Sequence, residues 1–436
     1  MSDRRTSKPP HVALIAPPLT GHLDPIFALG AELIARGIQA TYFGPCECER
    51  KARHASVGFV AVGAATHGRG DAEQRARLLS KADQLTGLNG VINQMAQDTR
   101  MLVTELPDAF HAHGITAVVS DQLEPAGSLV AQHIDVPLVS IASALPINRS
   151  SITPPYFTGW IAGERMAVPQ IISGAERVYD WMTRAHGRVI SETAEAWGLR
   201  PQHTCQDTIS TELDLWQIPQ GYDFPRDAFD PVVRYVGPIR GESVRQRSVE
   251  SDAELRSAIV AAGQRPIVFA SFGTLFGGRH KALLSIAQGI ADTGFQAVIA
   301  DGGRLTEPQV DALAETGAIV RAIVPQRAVL SRAAACVTHG GMNTTMDALE
   351  AAVPLLACPI GFDQKANAAR IVWHGAGVRL SQSRISRRTV AKSVSALLDD
   401  RTYPSAARRL SNMIKATGGR PVAADMVTNL IVGAEV

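Results

Sequence analysis

One rhythm is repeated twice along this chain, with short continuous apolar runs alternating with stretches that carry apolar residues at helical spacing. In the first half the runs are 11–16, 39–43, 59–62, 116–121 and 138–142, and residues 26–36 have helical spacing that Gly37 closes. In the second half the runs are 266–270, 295–300, 318–324, 335–337 and 354–358. A strand with one wet face alternates apolar and polar residues, whereas a strand that is apolar throughout has to be covered on both faces. Strands of the second kind, joined through helices, form parallel sheets. The expectation is an α/β chain with two doubly wound, Rossmann-like domains. Ligands of such sheets bind beyond the carboxyl ends of the strands, so two sheets facing one another would enclose a central cleft.

Length agrees, since 436 residues exceed what a single hydrophobic core usually serves. A polar stretch between Val236 and Arg265, containing Gly237-Pro238 and the charged residues 242–247, marks the junction. This divides the chain into an amino-terminal domain over 1–240, a linker over 241–262 and a carboxy-terminal domain over 263–410, with 411–436 expected to pack back on the first domain. A net charge of +2 without long runs of one sign argues against nucleic acid and against strong electrostatic membrane attachment. Five scattered cysteines make no disulfide framework, and no second pair stands at zinc spacing from Cys46-Glu47-Cys48, so no metal site is expected. No run reaches the roughly 18 apolar residues that span a bilayer. Met1-Ser2-Asp3-Arg4-Arg5 leads into no apolar signal segment, so a cytoplasmic protein with small-molecule partners is expected.

The most chemical stretch is Val337-Thr338-His339-Gly340-Gly341-Met342-Asn343-Thr344-Thr345, followed by Asp347, Pro354, Pro359 and Asp363-Gln364. It reads as a strand, a glycine turn, a helix start rich in hydrogen-bond donors, and a second strand ending in two polar groups. The first N–H groups of a helix lack intrahelical partners and its dipole favours anions there, so a diphosphate suits that end. Gly340 and Gly341 would let the backbone approach the phosphates, and His339, Asn343 and Thr344 can donate further hydrogen bonds.

A second constellation lies in the first half. The loop Pro17-Pro18-Leu19-Thr20-Gly21-His22-Leu23-Asp24-Pro25 follows the first strand and delivers His22 to the start of the next helix, on the cleft side. A lone histidine is commonly a surface or core residue. Asp121, which closes the fourth strand on the same side, changes that reading, because a carboxylate holding the imidazole N–H stabilises the imidazolium formed on proton abstraction.

His22 within Gly-His-x-x-Pro, Asp121, and the block from His339 to Gln364 together resemble the family-one inverting glycosyltransferases of the GT-B fold. The resemblance covers most of the chain and is strongest over 119–149 and 337–370. Within that family, Asp121-Gln122-Leu123-Glu124-Pro125-Ala126-Gly127 and Ser143-Ala144-Leu145-Pro146-Ile147-Asn148-Arg149 are similar to the bacterial zeaxanthin glucosyltransferases. The resemblance implies that His22, supported by Asp121, removes the proton of an acceptor hydroxyl that attacks the anomeric carbon of UDP-glucose. It implies that His339, Gly341, Asn343 and Thr344 bind the diphosphate with Gly273 and Thr274, and that Asp347 holds the ribose. Val324 and Gln326 would then meet the uracil, and Asp363 and Gln364 the glucose hydroxyls. Neither metal nor cofactor is implied; the nucleotide sugar is a substrate. Two residues depart from the family pattern: Ile323 stands where a tryptophan is usual, which removes base stacking of about 1–3 kcal/mol, and Asp347 replaces the usual glutamate.

Between Leu145 and Met182 the rhythm breaks into loop and short helix, with Tyr156, Phe157, Trp160, Tyr179 and Trp181 clustered in a chain that is only 5% aromatic. Either a hydrophobic binding wall or packing beneath a long loop accounts for this cluster. The first assigns Pro146, Tyr156, Phe157 and Trp160 to an acceptor, which the resemblance makes a hydroxylated carotenoid such as zeaxanthin. Peripheral membrane contact through 146–182 follows, although no basic amphipathic helix is evident there. The alternatives are a soluble polyketide or phenolic acceptor with a UDP- or dTDP-sugar, and a nucleotide-sugar binding protein without turnover.

Overall fold

The computed structural model describes residues 9–64, 78, 85–227, 230–241, 253–261, 263 and 265–433; the charged stretch 242–247 lies outside them. Strands β1 (His11–Ile15), β2 (Gln39–Gly44), β3 (Gly58–Ala61), β4 (Ala117–Asp121), β5 (Leu138–Ala142), β6 (Leu213–Trp216) and β7 (Val233–Tyr235) form one sheet in the order β3-β2-β1-β4-β5-β6-β7. A second sheet contains β8 (Ile267–Ser271), β9 (Gln296–Ala300), β10 (Ile319–Arg321), β11 (Ala333–Thr338), β12 (Leu355–Ala357) and β13 (Gly377–Arg379), in the order β10-β9-β8-β11-β12-β13. Every pairing is parallel. Strands β4, β5, β8 and β9 are buried along their whole length, which is why their sequences are apolar without alternation.

The helices that bear on the site and on the contacts between lobes are α1 (Thr20–Ala35), α2 (Leu85–His113), α3 (Pro125–His133), α4 (Pro169–Met182), α5 (Arg184–Ala196), α6 (Met342–Glu350), α7 (Gln364–Trp373) and α8 (Gly419–Gly433). Helix α8 returns to the first lobe, where Ala423, Ala424 and Val427 share a core with Ile26, Leu29 and Leu33 of α1.

Several local features differ from the sequence expectation. The short strands β6, β7 and β13, of three or four residues, were not expected, because so few residues carry no readable period. Strand β10 stops at Arg321 rather than continuing to Val324, and Ile323 turns outward, 56% exposed. Helix α1 begins at Thr20, so His22 sits inside its first turns rather than on a preceding loop. Pro25 is tolerated there because its missing N–H forfeits one bond near the helix end, the one to the Gly21 carbonyl. Residues 169–182 form a fourteen-residue helix with proline at its first position, longer than the short helix expected.

The lobes meet at a buried charge cluster. Asp223 accepts from Arg370 Nε at 3.1 Å and Nη2 at 2.7 Å through one oxygen, and from Arg226 Nε at 2.8 Å through the other. Burial alone would raise the Asp223 pKa, but the charges of Arg370 and Arg226 and their hydrogen bonds hold it below the usual carboxylate value. Tyr222 beside it donates to Asn367 at 3.3 Å, and the Tyr222 carbonyl meets His374 Nε2 at 3.0 Å. Asp223→Ala would leave Arg370 buried without its counter-ion. It is expected to lower stability by about 3–5 kcal/mol in urea unfolding, whereas Arg53→Ala, which breaks the exposed pair with Glu49, costs about 1 kcal/mol or less.

Candidate active site

Both sheets reverse their strand order once, between β1 and β4 in the first and between β8 and β11 in the second. At such a point the connections leave in opposite directions and open a crevice at the strands' carboxyl ends. Strand β1 leads into α1 with His22, while Asp121 is the last residue of β4. Strand β8 leads into Gly273 and Thr274, while His339 directly follows β11. Both chemical constellations thus stand at topological switch points, and His22, Gly273, Thr274, His339, Gly341, Asn343, Thr344, Asp363 and Gln364 line one cavity.

His22 Nδ1 lies 2.9 Å from Asp121 Oδ2, and Asp121 is only 1% exposed. The other Asp121 oxygen accepts the Leu123 N–H at 2.9 Å, which fixes the carboxylate plane. With a carboxylate at Nδ1, the neutral ring carries its proton there, leaving the Nε2 lone pair to take another. Burial lowers the His22 pKa, but the charge and hydrogen bond of Asp121, together with the charge of Asp363, outweigh it and raise the pKa above 6.5. The Gly21 carbonyl, deprived by Pro25 of a helix partner, accepts instead from the Asn343 amide of the second lobe at 3.2 Å. The proline in the first lobe therefore creates an attachment point for the start of α6 in the second.

That side is open to an anion. Helix α6 starts at Met342 with Gly341 as its cap residue, no side-chain cap and no acid in its first turn, so its leading N–H groups face out unsatisfied by the chain itself. Gly340 has φ +83°, and a Cβ there would lie 3.0 Å from the Gln364 carbonyl. At Gly341 a Cβ would lie 2.5 Å from His339 Nε2, so only glycine leaves this ring room. Burial pushes the His339 pKa down to about 4, which keeps the ring a neutral hydrogen-bond donor. Asp363 accepts the Leu145 N–H at 3.3 Å and the Asn367 amide at 3.0 Å, and burial raises its pKa. Gln364 spends its carbonyl oxygen on the N–H groups of Ile360 and Gly361, at 2.9 and 3.0 Å, which leaves its amide nitrogen as the group to meet a ligand.

Three residues expected at the donor do not line this cavity: Val324, Gln326 and Asp347. Asp347 is held in an ion pair by Arg240 and accepts from Gln326 Nε2 at 2.6 Å, while Thr344 donates its hydroxyl to Gln326 at 3.3 Å. The shorter aspartate is thus drawn into a network with Arg240, a residue that the sequence offered no reason to choose. Ser143 was also missed. It follows β5, lines the cavity, and its buried hydroxyl has no partner among the described residues.

On the first-lobe side the cavity, about 940 Å³, is walled by Pro146, Tyr156, Phe157 and Trp160 from the loop and by the inner face of α4. Phe157 stacks on Tyr179 at 4.2 Å between ring centroids, and the Tyr156 and Tyr179 hydroxyls are 2.5 Å apart. The cluster therefore both packs beneath the loop and forms the wall of a cavity. Its inner end is polar: Thr99 donates to Glu124 at 2.8 Å and meets His186 Nε2 at 2.9 Å, and burial pushes Glu124 up to about 8.

Two facing parallel-sheet lobes, with a histidine–aspartate pair at one switch point and a helix N-terminus at the other, have the architecture of the GT-B glycosyltransferases. The profile described as "UDP-glucoronosyl and UDP-glucosyl transferase" matches residues 71–425, and the chain belongs to that family as a glycosyltransferase. The zeaxanthin glucosyltransferase of Pantoea ananas is 34% identical over 97% of this chain and 96% of the relative. That of Pseudescherichia vulneris is 33% identical over 98% and 99%. Among solved structures, the glycotransferase of kitacinnamycin superimposes with a TM-score of 0.77 at 20% identity, covering 98% of this chain and all of the other, a likeness of fold.

With His22 acting as a base, transfer should fail as pH falls through its pKa. The acid limb of kcat/KM is expected to lie above pH 6.5, and Asp121→Asn should move it down while slowing transfer. For stability the sign is opposite: the raised His22 pKa contributes fully below pH 6.5, and the contribution is lost as pH rises through the folded-state value. Gly341→Ala, which displaces the His339 ring, is expected to lower kcat/KM for the donor about 10²-fold with the fold retained by circular dichroism.

Proposed function

We propose that the chain transfers glucose from UDP-glucose to a ring hydroxyl of a carotenoid such as zeaxanthin, giving the monoglucoside and then the diglucoside. His22 Nε2 takes the proton of the acceptor hydroxyl while its oxygen bonds to the anomeric carbon. The bond from that carbon to the diphosphate oxygen breaks, and its electron pair leaves with UDP from the opposite face, so the configuration inverts. Asp121 stabilises the imidazolium that forms. The N-terminus of α6, with His339, Asn343 and Gly341, takes up the charge developing on the diphosphate, an arrangement that asks nothing of a metal. Asp363 and the Gln364 amide would hold the glucose hydroxyls, with Ser143 opposite them. The observation that carries this reading is the His22–Asp121 pair at 2.9 Å in a cavity shared with Asn343 and the open start of α6.

The carotenoid is supported by the apolar aromatic wall and by the two relatives named as zeaxanthin glucosyltransferases, each matched almost end to end. A long apolar acceptor resides in a bilayer, so peripheral membrane contact belongs to the same reading. A second reading keeps the chemistry but takes a UDP- or dTDP-sugar and a soluble polyketide or phenolic acceptor. The exposed Ile323 favours it, because no aromatic ring stands there to select the base. A binding protein without turnover would have no use for a buried carboxylate aligned on an imidazole.

His22→Ala is expected to reduce glucosyl transfer by about 10²–10⁴-fold while leaving the calorimetric affinity for UDP unchanged. Transfer near the wild-type rate in that variant removes the proposed base. Mass spectrometry of products from UDP-glucose with zeaxanthin and with a panel of phenols decides between the acceptors.

A further inference from the structure

We infer that the outward face of α4 and α5 is a docking surface for an anionic lipid bilayer; its biological purpose, though not its existence, rests on the apolar acceptor proposed above. Among the described residues, Met166 and Val168 on the approach to α4 and Trp181 near its end are large hydrophobic side chains left exposed, the last by 64%. The others are scattered over the chain. Of the fourteen residues of α4, Ile172 alone is buried. The helix lies over the cavity with Ile171, Ala175, Val178, Tyr179 and Met182 lining it, while Arg177 and Trp181 are exposed among the described residues.

Arginines predominate around this patch. Glu176 and Asp180, the acids of α4, both turn to Arg149 on the loop: Asp180 through a short ion pair with Nη2, and Glu176 at 4.0 Å from Nε. That leaves Arg177, Arg184 and Arg188 exposed, and no described ion pair involves them. Arg177, Trp181, Arg184 and Arg188 follow at intervals of four, three and four residues, one stripe along two helices separated only by Thr183. The Arg184 guanidinium stands 4.6 Å over the Trp181 ring. Arg165, beside Met166, adds a further positive charge, offset by its neighbour Glu164. A tryptophan among arginines, flanked by methionine and valine, is the composition that sits at a lipid headgroup boundary, with rings and stems in the acyl region and guanidinium groups on phosphates. Among the described residues no helix is long and apolar enough to cross a membrane, so contact of this kind is peripheral. Since α4 is also a wall of the acceptor cavity, a bilayer against its outer face would hand over an apolar ligand without exposing it to water.

The test uses the full chain and vesicles that hold neither donor nor acceptor. Wild-type protein is expected to cosediment with phosphatidylcholine vesicles containing phosphatidylglycerol, to bind pure phosphatidylcholine far less, and to be released by high salt. Met166→Ser with Trp181→Ser, and separately Arg177→Gln with Arg184→Gln, should each reduce binding about tenfold. Both variants should keep the wild-type thermal midpoint and wild-type transfer to a water-soluble acceptor. Wild-type protein that ignores anionic vesicles, or variants that bind them as wild type does, overturns the inference; a protein partner would then be the occupant of this face. Because the vesicles are empty, a failure of the carotenoid reading shows in the product assay and leaves this result unchanged.

Discussion

A parallel sheet that grows outward from both sides of one strand pair leaves a gap where the two directions part. This chain does so twice, and the candidate site residues gather around those gaps. The β1–β4 gap holds His22 and Asp121; the β8–β11 gap holds Gly273, Thr274 and His339. Neither gap is a site by itself. The lobes are held face to face by Asp223 between Arg370 and Arg226, a cluster so buried that the charges have no solvent to turn to and must stay together.

Within that frame, burial gives two histidines opposite properties. His22 has a buried carboxylate in contact with its ring and a second one near it, and is made more basic. His339 is surrounded by Phe272, Phe276 and glycine backbone, with no acid to offset the loss of solvent, and is kept neutral. The first suits proton removal, and the second suits donation to an anion without adding a mobile proton to the site. The contact between Asn343 and the Gly21 carbonyl links the two regions, and it exists because Pro25 leaves that carbonyl without its usual helical donor.

The architecture was largely legible, because fully apolar strands separated by helices admit few arrangements. The boundaries were less so. Helix α1 swallowed its expected loop, since a proline near a helix start costs little, and β10 ended early where Ile323 turns to solvent. The His22–Asp121 pair could be anticipated, since His22 lies in the connection that leaves β1 and Asp121 ends β4, on one side of the sheet. The diversion of Asp347 and Gln326 into an ion-pair network with Arg240 could not, since Arg240 is far from both in sequence, 107 residues from Asp347, and lies in another lobe's closing segment. The basic face of α4 and α5 was missed for a similar reason: its acids look neutralising in sequence until Arg149 is seen to hold them.

The sequence alone determined the two parallel sheets, the glycines where a side chain would meet backbone or the His339 ring, and the residue types able to do chemistry. These follow from local rules: hydrophobic periodicity, backbone freedom and side-chain donors. Only the tertiary structure decided which carboxylate is free and which is tied, which histidine is basic and which neutral, and which hydrophobic face is left uncovered. Those properties depend on burial and on charges brought together across long separations, and neither is a function of neighbours in the chain.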